Sequence, residues 1–264
     1  GSSGTLDIEW QVVPGEEFFV ESGKKGSPTL NSVYWGISEV GLTNSFVLFS
    51  NRTVGTWPQN GIVRGSFSSS TEVELNVYNR GSATPRASWQ AIEWEGASVQ
   101  SGIYTVSSND AYVSIDQVDR DHTFPLVSQN SDDTGRVAAK VTGRSNIMAS
   151  DVELRWRRGS SVGENSISYF VITHNEIFVR YGFQSLVSYI GTVTLSDPVD
   201  ITECFIGHTD VGNAHATSTT NNSLGSGWHT FRLYQDGEDK IEIRRENNTG
   251  TLYSAWFLVE TNWE

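Results

Sequence analysis

The feature that most constrains the fold is an internal repeat with a period of about eighty residues. One strand-like pattern occurs three times, as EVEL at 72–75, DVEL at 151–154 and KIEI at 240–243. Other markers recur in the same register: Phe46, Phe124 and Phe205, and Val20, Val99 and Val179. Because self-similarity at a fixed period is typical of arrays of small units, the chain is predicted to contain three such units.

Composition predicts that these units are built from strands. Nine Trp, twelve Phe and nine Tyr are bulky residues that favour strands, and no segment keeps a helical apolar period. The predicted fold is all-β: a tandem array of three small antiparallel β-sandwich (Ig-like) domains of about 80 residues each. We place them at 1–83, 84–163 and 164–264, with the cuts in Gly- and Ser-rich loops. The third has a long loop between its third and fourth strands and an extra C-terminal strand.

Each unit is predicted to hold six strands bounded by Gly, Asn, Asp, Ser or Pro. In the fifth strand Val73 and Leu75 alternate with Glu72 and Glu74, so one face meets a core and the other meets water. The third strand contains Pro125, which cannot donate a ladder hydrogen bond. This proline predicts a sheet edge.

The sixth strand differs from the others because it is apolar on both faces. A neighbouring repeat, another subunit or a crossed loop would each cover the second face, and the sequence leaves all three open. Since symmetric assembly is the usual way to bury such surfaces, these strands are predicted to support homo-oligomerisation. The predicted interface residues are Trp10, Val12, Ile92, Trp94, Phe170, Ile172, Phe257 and Val259.

The sixth strand occurs four times in the sequence, whereas each of the other strands occurs three times. An extra copy, IEWQVV, lies at 8–13, ahead of the first repeat. Either the chain comes from a longer array, or this strand completes a unit elsewhere in an assembly, since exposed strands are templates for pairing. Every copy except the last reaches the next first strand through a short turn, at Pro14-Gly15, Glu95-Gly96 or Asn175-Glu176, that is typical of a tight hairpin.

Charge and cysteine content narrow the classes of partner. The formal net charge is −13, from 31 acidic against 18 basic residues, which argues against binding to nucleic acid or to anionic membranes. No apolar run approaches the roughly 18 residues that span a bilayer, so no membrane partner is predicted. Cys204 is the only cysteine, and its place ahead of Phe205 favours a small hydrophobe over a reactive thiol.

The candidate metal ligands lie at the start of the long loop in the third repeat. His208, Asp210 and His215 offer imidazole and carboxylate donors at a spacing that suits a transition metal. The loop is also rich in Asn, Ser, Thr and Gly, and a solvated surface loop is the preferred interpretation. We therefore predict no metal and no cofactor.

Other chemical motifs are weak or missing from the sequence. The acidic segment at 116–122 lacks the central Gly and terminal Glu of an EF-hand loop, so we interpret it as a polar corner turn. The sequence contains no GxSxG elbow, HExxH helix or phosphate-binding Gly loop. We predict that the protein is not an enzyme.

Two loop tryptophans are the candidate ligand-binding residues. Trp57 lies in the variable loop of the first repeat, and Trp228 ends the long loop of the third. Exposed aromatic side chains backed by polar groups are a means of binding sugars. Packing of these rings onto the sandwich is the preferred alternative.

Two segments of the second repeat, SWQAIEWEGASVQSG at 88–102 and VSIDQVDRDHTFPLVS at 113–128, resemble tandem repeats of phage structural proteins and of uncharacterised bacterial surface proteins. The resemblance implies a non-enzymatic virion component, such as a head decoration, fibre or tail accessory protein. Its partners would be other virion proteins and itself, at the virion surface. The alternative is an extracellular carbohydrate-binding or adhesin module that contacts glycans. The third copy departs from the pattern at Gly207-His208.

Overall fold

The computed structural model describes residues 18–25, 32–54, 63–77, 84–131, 143–148, 150–158, 163–200, 203–208, 210–211, 229–233, 240–245 and 252–261. Within these ranges the chain is all-β, and its one helical segment is a 3-10 turn at Arg120–His122. No helix in this part of the chain is long and apolar enough to cross a membrane. The predicted all-β class is confirmed.

The six predicted strands are present in each repeat. The first repeat holds β1 (Phe18–Lys25), β2 (Ser32–Gly36), β3 (Ser45–Val54), β4 (Arg64–Ser69), β5 (Glu72–Asn76) and β6 (Thr84–Trp94). The second holds β7 (Ser98–Val106), β8 (Asp110–Ser114), β9 (Thr123–Ser131), β10 (Gly143–Ile147), β11 (Glu153–Arg158) and β12 (Asn165–Thr173). The third holds β13 (Ile177–Leu186), β14 (Ile190–Thr194), β15 (Cys204–His208), β16 (Asp210–Val211), β17 (His229–Leu233), β18 (Lys240–Arg245) and β19 (Leu252–Thr261).

Each repeat forms two small antiparallel sheets. The sheet with the sixth strand at its centre, which we call the inner sheet, is β1-β6-β3, β7-β12-β9 or β13-β19-β15 in the successive repeats. The outer sheets are β2-β5-β4, β8-β11-β10 and β14-β18-β17. Strand β16 of the third repeat pairs with β10 of the second, so that outer sheet joins two repeats. Pro125 lies in β9 at a sheet edge, as predicted.

Alternation along the central strands places one apolar row between the two sheets of each repeat. In the first repeat Val73 and Leu75 of β5 are buried with Trp89 and Ala91 of β6. The second and third repeats bury the corresponding rows in the same way. Those rows contain Leu154, Trp156, Ile167 and Val171, and then Ile241, Ile243, Trp256 and Leu258.

The turn after the sixth strand does not form a hairpin. Only residues 95–97 separate β6 from β7, yet the two strands lie in different inner sheets, so the hairpin prediction is wrong. The turn carries the chain from one repeat to the next. Gly96 adopts a φ of 78° there, and a β-carbon at this position would lie 2.8 Å from His174 Nε2.

Strand pairing also groups residues across the predicted domain cuts. Strand β6 begins just after the cut at residue 83 but pairs with β1 and β3, which lie before it. Strand β12 is related in the same way to β7 and β9. The hydrogen-bonded groups therefore divide at the short turns after β6 and β12, while the domain boundaries as such stay a prediction.

Candidate functional site

The second face of each inner sheet carries a row of three side chains that face each other across the strands. The rows are Val20, Ile92 and Phe46; Val99, Ile172 and Phe124; and Val179, Val259 and Phe205. The recurring valines and phenylalanines of the sequence thus flank the same position of the sixth strand. The repeat period therefore marks one shared structural surface.

These faces pack against one another in a single core, in which Phe124 is the central ring. Its centroid lies 6.5 Å from that of Trp94 in the first repeat, and 5.6 and 5.2 Å from those of Phe205 and Phe257 in the third. Residues of all three repeats therefore share one buried apolar cluster. The described residues of the predicted interface all belong to it: Ile92, Trp94, Phe170, Ile172, Phe257 and Val259.

The cover for the two-faced sixth strands is thus supplied by neighbouring repeats of the same chain. Trp94 shows this at the end of β6, where its indole stacks on the imidazole of His174 with centroids 4.5 Å apart. His174 Nε2 donates to Glu95 O at 3.1 Å, and its Nδ1 accepts from Glu176 N at 3.2 Å. The imidazole is therefore held in place between two repeats.

The outer sheet of the first repeat closes directly onto the inner sheet of the second. Phe67 of β4 meets Phe170 edge to face, with centroids 6.0 Å apart. Beside them Gly65 N donates to Ser128 Oγ at 3.0 Å, and Ser128 Oγ donates to Gly65 O at 3.2 Å. Both groups are buried, so one hydroxyl satisfies both polar atoms of the Gly65 backbone.

A buried arginine reinforces this junction. Arg64 Nη2 lies 3.1 Å from Glu74 Oε2, and Arg64 Nη1 donates to Ser166 Oγ of the second repeat at 3.4 Å. Burial lowers the pKa of the Arg64 guanidinium, while the charge of Glu74 acts in the opposite direction. The ion pair is shielded from solvent, so its loss is costly.

The second repeat covers the inner sheet of the third in a similar way. Tyr181 Oη donates to Thr123 O, and the Arg120 guanidinium lies 5.2 Å from the centroid of the Tyr181 ring. His122 Nδ1 donates to Ile177 O. Burial raises the pKa of Tyr181 well above its usual value. Each repeat therefore contributes cover to the repeat that follows it.

The inner sheet of the first repeat is covered only in part among the described residues, since Ile92 and Phe46 are buried but the neighbouring Val20 is not. Val20 is 48% exposed, whereas its counterparts Val99 and Val179 are 7% and 3% exposed. Leu48 and Gln90, beside it on β3 and β6, are exposed as well. We call Val20, Leu48 and Gln90 the open face. It is the surface onto which a preceding repeat would pack.

The candidate metal ligands are only partly placed. His208 stacks on Phe231 with centroids 5.3 Å apart, and Asp210 lies in β16, paired with β10. Among the described residues, no group of three His, Cys, Asp or Glu side chains is arranged to hold a metal ion. Several predicted site residues lie outside the described residues: Trp10, Val12, Trp57, His215 and Trp228.

The acidic segment forms the turn that approaches the third repeat. Asp119 caps the 3-10 turn, with Asp119 Oδ1 accepting from Asp121 N at 3.1 Å. His122 in the same turn donates to Ile177 O of the third repeat.

No model of a known protein family matches the chain, and no curated protein matches it.

Proposed function

We propose that the protein is a non-enzymatic structural component that works by self-assembly and protein contact. The open face carries this proposal, because the same position is buried by a preceding repeat in the second and third copies. A virion surface is the proposed location, since the repeats resemble those of phage structural proteins. Head decoration, fibre and tail accessory proteins are all of this kind.

The proposed occupant of the open face is the third repeat of a second copy. At the first described junction the outer sheet of one repeat meets the inner sheet of the next, and at the second junction Thr123 of β9 bonds Tyr181 of the third repeat. The first repeat has no predecessor in residues 18–261. A head-to-tail contact would continue the same packing between chains. Such a heterologous contact builds a ring where the rotation closes and a filament where it does not.

The open face suits this role chemically. Val20 and Leu48 are apolar, and burying them removes apolar area from water at about 25 cal/mol per Å². Gln90 is neutral, so burying its side chain desolvates no charge. On this proposal the chain is a tandem array of three Ig-like sandwich units whose packing continues into the next molecule.

Light scattering across a concentration series, together with substitution of Val20 by Asp, tests the proposal. The native chain should associate at micromolar concentration, and Val20→Asp should shift it toward the monomer because the carboxylate would be buried in the contact. Ile103→Asp is the matched control, since Ile103 is 49% exposed on β7 of the second repeat, outside the proposed contact, and should leave association unchanged.

Two outcomes would contradict the proposal. One is a native chain that remains strictly monomeric. The other is that the full chain does not associate but a chain lacking residues 1–17 does. In that case the N-terminal segment, and not a second copy, would cover the open face. The virion location is tested separately by antibody labelling of phage particles, where absence of label would reject it.

A further inference from the structure

A cavity lies between the outer sheet of the second repeat and the inner sheet of the third. Its volume is about 410 Å³, within the range of about 300–1,000 Å³ that is typical of small-molecule sites. Arg120, Arg155 and Arg157 line one side, and Tyr181 and Phe183 line the other. We call this space the arginine groove.

The corresponding junction between the first and second repeats is closed at Gly65 and Ser128, whose direct hydrogen bonds join the two sheets. Between the second and third repeats the hydrogen bond runs instead from Tyr181 to Thr123 of the inner strand β9. Tyr181 also packs on the outer sheet at Ile147, and the groove lies beside this contact. Arginine side chains occupy the wall of the gap. The groove is thus a local departure from the packing that the repeats otherwise share.

The three guanidinium groups differ in how many of their donors are already paired with a carboxylate. Asp110 accepts from both Arg155 Nε, at 2.8 Å, and Arg155 Nη2, while Arg157 Nε lies 3.6 Å from the same carboxylate. Arg120 Nε lies 3.8 Å from Asp151 Oδ1 and makes no hydrogen bond to a described residue. Because Arg120 Nε is itself buried, the donors that remain for a further anion are the Nη groups of Arg120 and Arg157, which donate to no described residue. The site holds three cations and two contacting carboxylates.

The other side of the groove suits a sugar ring better than a bare anion. Phe183 is exposed, and Arg120 lies over the ring of Tyr181, so apolar faces adjoin the charged donors. Asn146 Nδ2 donates to Ile147 O at 3.3 Å, which leaves the side-chain oxygen to accept from a hydroxyl group. Aromatic face, guanidinium donor and amide acceptor together match a pyranose that carries a carboxylate.

We propose that the arginine groove binds an acidic sugar residue of a polysaccharide, with Arg157 and Arg120 donating to its carboxylate and Phe183 packing on its ring. This site is separate from the open face, which lies on the inner sheet of the first repeat. It gives the chain a glycan-binding activity in addition to assembly. No covalent bond is made or broken in the proposed interaction.

Calorimetric titration with trigalacturonate tests the proposal, with neutral galactotriose and inorganic sulfate as comparison ligands. The native chain should bind trigalacturonate and neither of the others. Arg157→Gln should weaken binding about tenfold or more, because one charge-assisted hydrogen bond is lost. Phe183→Ala should weaken it as well. Arg244→Gln is the matched control: Arg244 is 46% exposed and Arg157 47%, and Arg244 lies on β18, outside the groove.

The other outcomes would overturn the proposal. Galactotriose binding as tightly as trigalacturonate would remove the role of the carboxylate. Sulfate binding as tightly would reduce the groove to a site for an adventitious ion only. Equal loss of affinity in Arg157→Gln and Arg244→Gln would place the ligand elsewhere, and failure of trigalacturonate to bind the native chain would reject the site.

Discussion

Gly102 lies directly beneath the phenol ring of Tyr169, its register partner on the neighbouring strand. A β-carbon at Gly102 would lie 2.8 Å from Tyr169 Oη. The same arrangement pairs Gly23 with Trp89 and Gly182 with Trp256 in the other repeats. Because glycine alone leaves room for a large ring to lie across the strand, each inner sheet keeps a glycine at this position of its first strand.

Gly102→Ala should destabilise the protein by about 1–3 kcal/mol, since the added methyl group forces the Tyr169 ring to move in a packed sheet. Gly36→Ala provides the control, because a β-carbon there meets nothing within 4 Å. That variant should be neutral or more stable by about 0.5 kcal/mol through the unfolded state. Denaturant midpoints measure both, and equal shifts in the two variants would contradict the steric account.

Ser128→Ala should open the junction between the first and second repeats. It removes the only side chain that bonds both Gly65 N and Gly65 O among the described hydrogen bonds, so a buried backbone group is left unsatisfied at a cost of about 1–3 kcal/mol. The amide proton of Gly65 should exchange faster with solvent deuterium. Ser101→Ala, at an exposed site on β7, should leave that rate unchanged.

Glu74→Gln should destabilise the chain by about 3 kcal/mol, since it leaves the buried Arg64 guanidinium without its counter-ion. Glu72→Gln is the comparison, because Glu72 lies two residues earlier on β5 and bonds the exposed Ser68 hydroxyl instead. Chemical denaturation at low and high salt measures the effect. The loss in Glu74→Gln should persist at high salt, because buried pairs are weakly screened. A loss that vanishes with salt would place the pair in solvent.

The strand content of this fold is predictable from the sequence because alternation and turn residues are local signals. Val73 and Leu75 are buried and Pro125 lies at a sheet edge, as their patterns indicate. The apolar second face of the sixth strand is also visible in the sequence. The surface that covers this face cannot be read from the sequence, because hydrophobic burial is non-directional and any apolar surface would serve.

The hairpin error and the missed groove share one physical cause. A short turn between two strands fixes their separation along the chain but not the sheet that each strand joins, and the turn at Gly96 leads into another sheet. The arginine groove likewise combines Arg120, Arg155 and Tyr181 from two repeats. These three residues are not related by any short spacing along the sequence. The fifth strand of the second repeat, ELRWRR, departs from the acidic pattern of the fifth strand of the first repeat. That difference was the sequence signal available for the groove.

Cys204 provides a pH-dependent test of packing in the third repeat. Burial raises the pKa of the Cys204 thiol to about 12, with smaller contributions from Glu260 and Asp200, against 9.0 for the unperturbed group. Because the folded pKa is the higher one, the stability linked to this thiol is fully present below pH 9.0 and is lost as the pH rises toward about 12.

Cys204→Ser isolates this contribution, since Ser45 occupies the equivalent position of the first repeat and does not titrate in this range. The free energy of unfolding of the native chain should fall more steeply between pH 9.0 and about 12 than that of Cys204→Ser. Below pH 9.0 the two curves should run parallel. A thiol reagent should also label native Cys204 slowly at neutral pH and rapidly in denaturant, because the thiolate is the reactive form. Parallel stability curves up to pH 12 with rapid native labelling would mean that the thiol is solvated, and that the third repeat packs more loosely around β15 than the structure indicates.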